Sequence, residues 1–207
     1  TPPVRKDGTA VPSATPMEAL KTPQFFMIIF AFMCATAAGS MMIPMAKILG
    51  LQPDSGLTTS EAVAGVMIIS AFNSFGRVFW GWFSDKIGRK KTLLILLVIA
   101  AFSIIGVSFA KAYLMLAFIA VIGFSYGGFL GVFPAMTADF WGTKNVATIY
   151  GMILLGFGVG AVASSYIVAY FSATKEFSTA FTIAGVAAVV GFIIICFLKA
   201  PKQKASH

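Results

Sequence analysis

Six apolar segments make up most of the chain, and each is long enough to cross a lipid bilayer as a helix. Spanning the hydrocarbon layer takes about 20 predominantly apolar residues. The segments cover residues 24–49, 61–83, 92–109, 113–137, 146–171 and 178–198. Of the 207 residues, 58% are hydrophobic and 11% are charged, whereas soluble domains carry about 25% charged residues. We therefore predict an all-α membrane protein with six transmembrane helices.

The basic residues between the segments predict the orientation, because cytoplasmic loops carry an excess of lysine and arginine. Only Lys47, Lys111 and Lys175 fall on one side. The side that holds both termini carries Arg5, Lys6, Lys21, Lys86, Arg89, Lys90, Lys91, Lys144, Lys199, Lys202 and Lys204. This bias predicts a multi-pass protein of the inner (cytoplasmic) membrane with both termini cytoplasmic. Trp80 and Trp82 fit an aromatic belt at the cytoplasmic edge of the second segment.

The same reasoning divides the chain into three parts. Residues 1–23 contain five prolines and no apolar run, so we expect a flexible cytoplasmic linker there. Residues 24–199 form the expected six-helix transmembrane domain, and residues 200–207 a cytoplasmic tail.

Arg77 is the one charge that lies well inside a segment. Arginine stays protonated in proteins, and a place at the centre of a membrane helix costs about 2.5–3.5 kcal/mol on insertion scales. All acidic residues lie between the segments or at their ends: Asp7, Glu18, Asp54, Glu61, Asp85, Asp139 and Glu176. Arg77 therefore lacks an acidic partner at depth in this chain, and an anion is its best-matched partner.

Ser70, Asn73 and Arg77 are spaced by three and four residues, so they share one helix face. A polar face on an apolar spanning helix indicates a bundle interior or a watery cavity. The alternative is snorkelling, since Arg77 lies six residues, or about 9 Å, from the end of its segment. Asn73 extends the face away from that end, which favours a binding site.

Other chemistries find little support. The single histidine is the last residue, so a Ser/His protease inside the membrane is disfavoured. Cys34 and Cys196 both fall within apolar segments and show no disulfide or metal spacing. We expect no metal, no cofactor, no enzyme activity and no nucleic-acid partner. A sensor or scaffold built on the same fold stays open.

The fourth segment repeats glycine at positions 123, 127 and 131, which is typical of close helix contact. Tyr126, Phe129 or Leu130, and Phe133 lie on a different face of that helix. Tyr126 is the better site candidate because its hydroxyl needs a partner at depth. For the other aromatic residues, packing or lipid contact is the alternative. The fifth segment repeats the small-residue pattern, with Phe157 in its middle.

The loop between the second and third segments reads GWFSDKIGRKK over residues 81–91. It resembles the signature of the major facilitator superfamily. That resemblance implies that Asp85 and Arg89 help to hold one conformation of an alternating-access cycle. We expect Gly88 to form a tight turn and Gly81 to let a neighbouring helix approach closely. The alternative is a basic loop that serves topology alone.

The runs MEALKTPQFF (17–26) and FNSFGRVFWGWFSDKIGRKKT (72–92) resemble the C-terminal half of the monocarboxylate and oxalate/formate transporters of that superfamily. The resemblance extends over residues 17–200 and is strongest to bacterial, lactate-type members. It implies twelve helices in two six-helix halves, with the substrate near the midplane between them. It also implies an N-terminal six-helix half as partner, and Arg77 as the residue that binds the substrate carboxylate.

Two departures from the family pattern sharpen the expectation. Oxalate exchangers have a lysine in the eleventh helix where this chain has Phe157, so a single carboxylate is better matched, with Phe157 facing its apolar tail. Proton-coupled animal relatives have an aspartate where this chain has Asn73. Since an asparagine cannot take up a proton, the acceptor would be the substrate carboxylate or a group in the N-terminal half.

We therefore expect secondary active transport of small, lactate-like monocarboxylates by proton symport, with an oxalate/formate-type anion exchanger as the alternative. The expected substrate-binding residues are Arg77, Asn73, Tyr126, Phe129, Phe133 and Phe157. The expected conformational motif comprises Gly81, Asp85, Gly88 and Arg89.

Overall fold

A computed structural model describes residues 13–52, 55–174 and 176–201, and these residues form seven helices. They are α1 (Pro16–Leu20), α2 (Pro23–Gly50), α3 (Thr59–Ile87), α4 (Arg89–Phe109), α5 (Ala112–Trp141), α6 (Val146–Thr174) and α7 (Phe177–Phe197). Helices α2–α7 each contain a stretch long and apolar enough to cross a membrane. The six predicted segments are confirmed, with every boundary within about four residues of its expected place.

Local sequence signals set the limits of α3. Thr58 and Glu61 form a capping box at its start: the Thr58 N–H donates to Glu61 Oε2 at 2.8 Å, and the Glu61 N–H donates to Thr58 Oγ1 at 3.4 Å. Gly88 separates α3 from α4 with φ +94°, a value that side chains disfavour. The predicted tight turn at Gly88 is confirmed. Among the described residues no helix approaches Gly81 closely, because a Cβ there would meet no atom within 4 Å, so its role in close packing stays a prediction.

The linker expected at residues 1–23 is ordered in its second half, while residues 1–12 and 202–207 lie outside the described residues. Helix α1 begins with Pro16, whose ring suits a first helical turn, behind a Thr15–Glu18 capping box. The Ala14 N–H donates to the Trp141 carbonyl at 2.9 Å, and Asn145 Nδ2 donates to the Ala14 carbonyl at 2.8 Å. Capping and docking thus give residues 13–22 defined contacts with the bundle, and the flexible linker stays a prediction.

The six long helices pack as two related sets of three. Helix α3 packs along α5, and α2 packs along α6. Helices α4 and α7 pack against each other, and they contact α5 and α2, respectively. Exchanging α2–α4 for α5–α7 maps the α3–α5 pair onto α2–α6, the α4–α5 pair onto α2–α7, and the α4–α7 pair onto itself. The bundle therefore has an internal three-helix repeat.

Two apolar clusters fill the bundle, one at each end. The larger, at the end that carries Gly88, includes Phe32, Trp80 and Phe129. The smaller, at the opposite end, includes Ile69 and Ile122. Trp80 is only 5% exposed, so it belongs to the core and not to the expected aromatic belt. Trp82 is exposed and carries the Lys86 ammonium 4.1 Å from its ring centroid.

Candidate functional site

A cavity of about 360 Å³ opens at mid-height, between the levels of the two apolar clusters. Helix α3 supplies most of its wall, α5 supplies two residues and α6 supplies one. The lining comprises Ile69, Ser70, Asn73, Ser74, Arg77, Tyr126, Leu130 and Phe157. The structure thus brings together four of the six substrate-binding candidates, which come from three different helices.

Arg77 is oriented by its neighbour one helical turn earlier. Its Nε donates to Asn73 Oδ1 at 3.1 Å, and Asn73 is itself only 8% exposed. Among the described residues, the guanidinium makes no ion pair, and its two terminal nitrogens have no hydrogen-bond partner. Two terminal N–H groups in one plane match a carboxylate. The arrangement therefore presents to the cavity a donor fork whose direction is set by Asn73.

The position of Arg77 along α3 argues against snorkelling. The helix runs to Ile87, four residues beyond the expected end, so Arg77 lies about 15 Å from that end at the helical rise per residue. Its bond to Asn73 directs the side chain further from the Gly88 end. A snorkelling side chain would extend toward that end instead.

The glycine ridge of α5 explains why α3 lies where it does. Each glycine faces one backbone carbonyl of α3: Gly123 faces Ile69, Gly127 faces Asn73, and Gly131 faces Arg77. A Cβ built on Gly123 or Gly131 would lie 2.6 Å from the facing oxygen, and one on Gly127 would overlap it. The predicted close contact is confirmed. The same four-residue spacing on both helices brings Tyr126, which is next to Gly127, beside the Asn73–Arg77 turn.

The apolar wall of the cavity rests on an aromatic stack. The ring of Phe157 stacks on Phe32 with centroids 6.0 Å apart, and Phe32 contacts Phe133 at 4.5 Å. Phe32, Phe133 and Phe129 are all fully buried. The structure therefore does not bring Phe129 or Phe133 to the cavity. Phe133 supports Phe157 through Phe32, and Leu130, one residue after Phe129, lines the cavity instead.

The loop motif of residues 81–91 forms an electrostatic cluster at the Gly88 end. Arg89 pairs with Asp85 one turn earlier and donates from Nε to Asp139 Oδ2 at 3.2 Å. It also donates to the Gly81 carbonyl at 3.3 Å and contacts the Ser84 hydroxyl. Arg89 thereby ties together α3, α4 and α5. Sequence reasoning missed Asp139, and its only signal is an acidic residue at the end of an apolar segment.

Comparisons with known proteins agree with this architecture. The sequence model described as "Major Facilitator Superfamily" matches residues 24–207. The chain belongs to the Major Facilitator Superfamily. An internal repeat of three plus three helices is the known construction of each six-helix half in this superfamily. The paired packing of α2–α4 and α5–α7 has that form.

Among curated superfamily relatives, an uncharacterized MFS-type transporter, YhjX, of Escherichia coli is 34% identical over 75% of this chain and 39% of its own length. The oxalate:formate antiporter of Oxalobacter formigenes is 30% identical over 92% of this chain and 49% of its own length. Monocarboxylate transporter 14 of mouse is 28% identical over 81% of this chain and 34% of its own length. The chain thus spans half or less of the length of these relatives.

A solved structure, that of an auto-inhibited POT family peptide transporter, superposes with a TM-score of 0.73 over 88% of this chain and 40% of that one. At 14% sequence identity this likeness concerns the fold alone. Together with the family match, it identifies the six spanning helices as one half of a Major Facilitator fold. The chain is accordingly a multi-pass membrane protein.

Proposed function

We propose that the chain forms the C-terminal half of a secondary transporter of small, lactate-like monocarboxylates. It would work with a second six-helix half by alternating access, in the inner membrane, with both termini in the cytoplasm. The observation that carries the proposal is the free guanidinium fork of Arg77, held in a mid-height cavity. A cation in that position needs an anion, and a carboxylate matches its geometry.

The binding step follows from the contacts of Arg77. Its Nε is occupied by Asn73, so the two terminal nitrogens remain for a substrate carboxylate. Charge-assisted hydrogen bonds of this type are about twice as strong as neutral ones. Their strength grows as a second half closes the cavity and excludes water, because the local dielectric falls. Asn73 acts here as the residue that fixes the direction of the fork.

The rest of the cavity selects a substrate with one charge and a short apolar body. Arg77 is the one charged residue among the described residues that line it. Leu130 and Phe157 supply apolar surface, and the Phe32 stack holds Phe157 in place. A second carboxylate beside Phe157 would be desolvated without a partner, which is costly.

If transport is coupled to protons, the group that carries the proton would be the substrate itself or a residue of the second half. The described cavity lining contains no carboxylate and no histidine, and the amide of Asn73 takes up no proton. Symport would therefore carry the proton on the substrate carboxylate or on a group of the second half. At the Gly88 end, the Arg89 cluster with Asp85 and Asp139 would stabilise one state of the cycle.

The direct test is uptake of labelled lactate by the complete transporter in liposomes. Arg77→Ala should abolish uptake and leave folding intact, and Arg77→Lys should retain the charge but lose the two-bond geometry. Lys111→Ala is a matched control that removes a cation outside the cavity and should transport normally. An Arg77→Ala variant that accumulates lactate at the parent rate would contradict the proposal.

Anion exchange of the oxalate/formate type is the second candidate, favoured by the 30% identity to the oxalate:formate antiporter. The two functions differ in what drives uptake. Uptake that requires an anion loaded inside the liposomes supports exchange. Uptake into empty liposomes driven by an imposed pH gradient supports symport.

A further inference from the structure

An exposed groove runs between α4 and α7, which we call the α4–α7 groove. Two cavities of about 480 Å³ and 190 Å³ lie in it, and they adjoin because both are lined by Ala101 and Val189. The larger cavity reaches Phe109, at the end of the bundle opposite Gly88. No residue of α4 or α7 lines the Arg77 cavity, so the groove is a separate site.

Small residues on the facing sides of the two helices create the α4–α7 groove. A Cβ built on Gly185 would meet no atom within 4 Å, so the missing side chain leaves open space beside α4. Ala101 contributes another small side chain from α4. The rims carry larger apolar residues that are exposed, among them Ile105, Val186 and Val190. Because α4 and α7 are long and apolar enough to cross the membrane, the groove faces lipid chains.

The length and the polarity of the groove match one acyl chain of a phospholipid. From Leu97 to Phe109 the groove follows α4 for about 18 Å at the helical rise per residue. One leaflet of the hydrocarbon layer is about 15 Å deep. The hydroxyl groups in the groove all lie toward the end opposite Gly88, and they belong to Ser108, Ser178 and Thr182. The deeper part is lined by apolar residues alone. A phospholipid has the same order, with polar ester groups at one end of an apolar chain.

Charged residues of opposite sign flank that polar end, which we call the mouth of the groove and define by Phe109 and Ser178. Lys111 lies two residues beyond Phe109, and Glu176 lies two residues before Ser178; both are exposed. The residue before Lys111 and the residue after Glu176 pack against the same apolar cluster. Among the described residues, neither charge makes an ion pair. A headgroup that carries both a phosphate and an ammonium complements this pair.

The affinity of such a site would come from packing and from the headgroup. A lipid chain that enters the groove leaves other lipid chains, so it gains no hydrophobic free energy. An unfilled groove, however, leaves its lining without partner atoms and forfeits their dispersion contacts. A chain that lies along the groove restores these contacts over its full length. Ion pairs at the mouth add a small contribution, since exposed pairs are weak.

We propose that the α4–α7 groove binds one membrane phospholipid. Its acyl chain would lie along Gly185 and Ala101, and its zwitterionic headgroup would lie between Lys111 and Glu176. The bound lipid would hold α7 to α4 and so stabilise this half of the transporter. The inference is independent of the proposed function, because it uses no residue of the Arg77 cavity.

The test counts phospholipids on the complete transporter, purified in mild detergent and supplied with phosphatidylethanolamine that carries palmitoyl and oleoyl chains. Gly185→Leu fills the groove from α7, and Ala101→Leu fills it from α4. Native mass spectrometry of the folded protein should show one phospholipid fewer per transporter in each variant than in the parent. A ligand that binds only the folded state raises the Tm. The added phospholipid should therefore raise the Tm of the parent more than that of either variant.

Two controls separate the groove from general effects. Ile183→Phe adds bulk to an exposed position of α7 that lines neither cavity of the groove, and it should keep the parent lipid count. Lys111→Ala leaves the groove open but removes the cation at its mouth. It should raise the phospholipid concentration that gives half of the Tm increase about two- to fivefold. Its transport should stay normal, because Lys111 lies outside the Arg77 cavity.

Three results would overturn the inference. The first is an equal number of phospholipids on the parent and on both leucine variants. The second is an equal loss of phospholipid in Ile183→Phe, which would show that the groove is not what holds the lipid. The third is loss of a second transporter copy, and not of a phospholipid, in Gly185→Leu and Ala101→Leu. The groove would then be an interface between two copies of the protein.

Discussion

Replacing Gly127 with alanine tests whether the contact between α3 and α5 determines the geometry of the Arg77 site. A Cβ at this position would overlap the Asn73 carbonyl oxygen and approach the carbonyl carbon at 2.8 Å. These are backbone atoms, which cannot rotate away as a side chain can. The two helices would have to separate at the turn that carries both Asn73 and Arg77.

The size of the effect follows from two opposing contributions. Overpacking a close contact costs about 1–3 kcal/mol, and a rigid backbone neighbour favours the upper part of this range. Alanine offsets about 1 kcal/mol of this overpacking cost because its helix propensity is higher than that of glycine. We therefore expect a net destabilisation of about 1–2 kcal/mol, or a fall in Tm of about 2–8 °C at about 2–4 °C per kcal/mol. Displacement of the donor fork should also weaken carboxylate binding about tenfold, which corresponds to about 1.4 kcal/mol.

The assay is thermal unfolding of the purified complete transporter in detergent, combined with titration of lactate. Gly185→Ala on α7 is the matched control, because a Cβ there would meet no atom within 4 Å. It should leave the binding constant unchanged, and the Tm unchanged or slightly higher. If Gly127→Ala has the same Tm and the same lactate binding constant as Gly185→Ala, the glycine ridge of α5 does not position the site and the reasoning fails.

Two further substitutions test the charge of the cavity. Phe157→Lys adds a second cation to the lining and should shift the preference from mono- to dicarboxylates, measured by competition against labelled lactate; an unchanged preference would contradict the single-cation argument. Asn73→Asp places a carboxylate 3.1 Å from Arg77 Nε, where the asparagine oxygen now lies. That carboxylate should neutralise the guanidinium and compete with substrate, so lactate binding near pH 7 should be weaker than in the parent. Lactate binding as tight as in the parent would rule out such competition.

The helices and the polar face of α3 could be predicted because the bilayer imposes simple requirements. A spanning helix needs a minimum apolar length, and that length placed each helix end within a few residues. A buried charge needs a polar environment, so the spacing of Asn73 and Arg77 already indicated which side of α3 faces the cavity. The glycine ridge of α5 was visible for a similar reason, because close backbone contact leaves a regular pattern of small residues.

Which aromatic residues reach the cavity could not be predicted by the same means. In a soluble helix the buried face is apolar and the exposed face polar, but lipid and protein core are both apolar. Phe129, Leu130 and Phe133 therefore look alike in the sequence, although only Leu130 lines the cavity. Trp80 was misplaced for the same reason. The Ser40–Tyr126 bond joins residues that are 86 positions apart, and no local pattern marks such a pair.

The internal repeat puts two chemically different walls of the cavity on corresponding helices. Helices α3 and α6 are the second members of the two three-helix sets, and each packs along a helix of the other set. Yet α3 supplies Asn73 and Arg77 to the cavity, whereas α6 supplies Phe157. The related helices have therefore diverged into a polar wall and an apolar wall. A monocarboxylate has the same division between its charged head and its hydrocarbon body, so under the proposed function we expect it to bind with the head on α3 and the body toward α6.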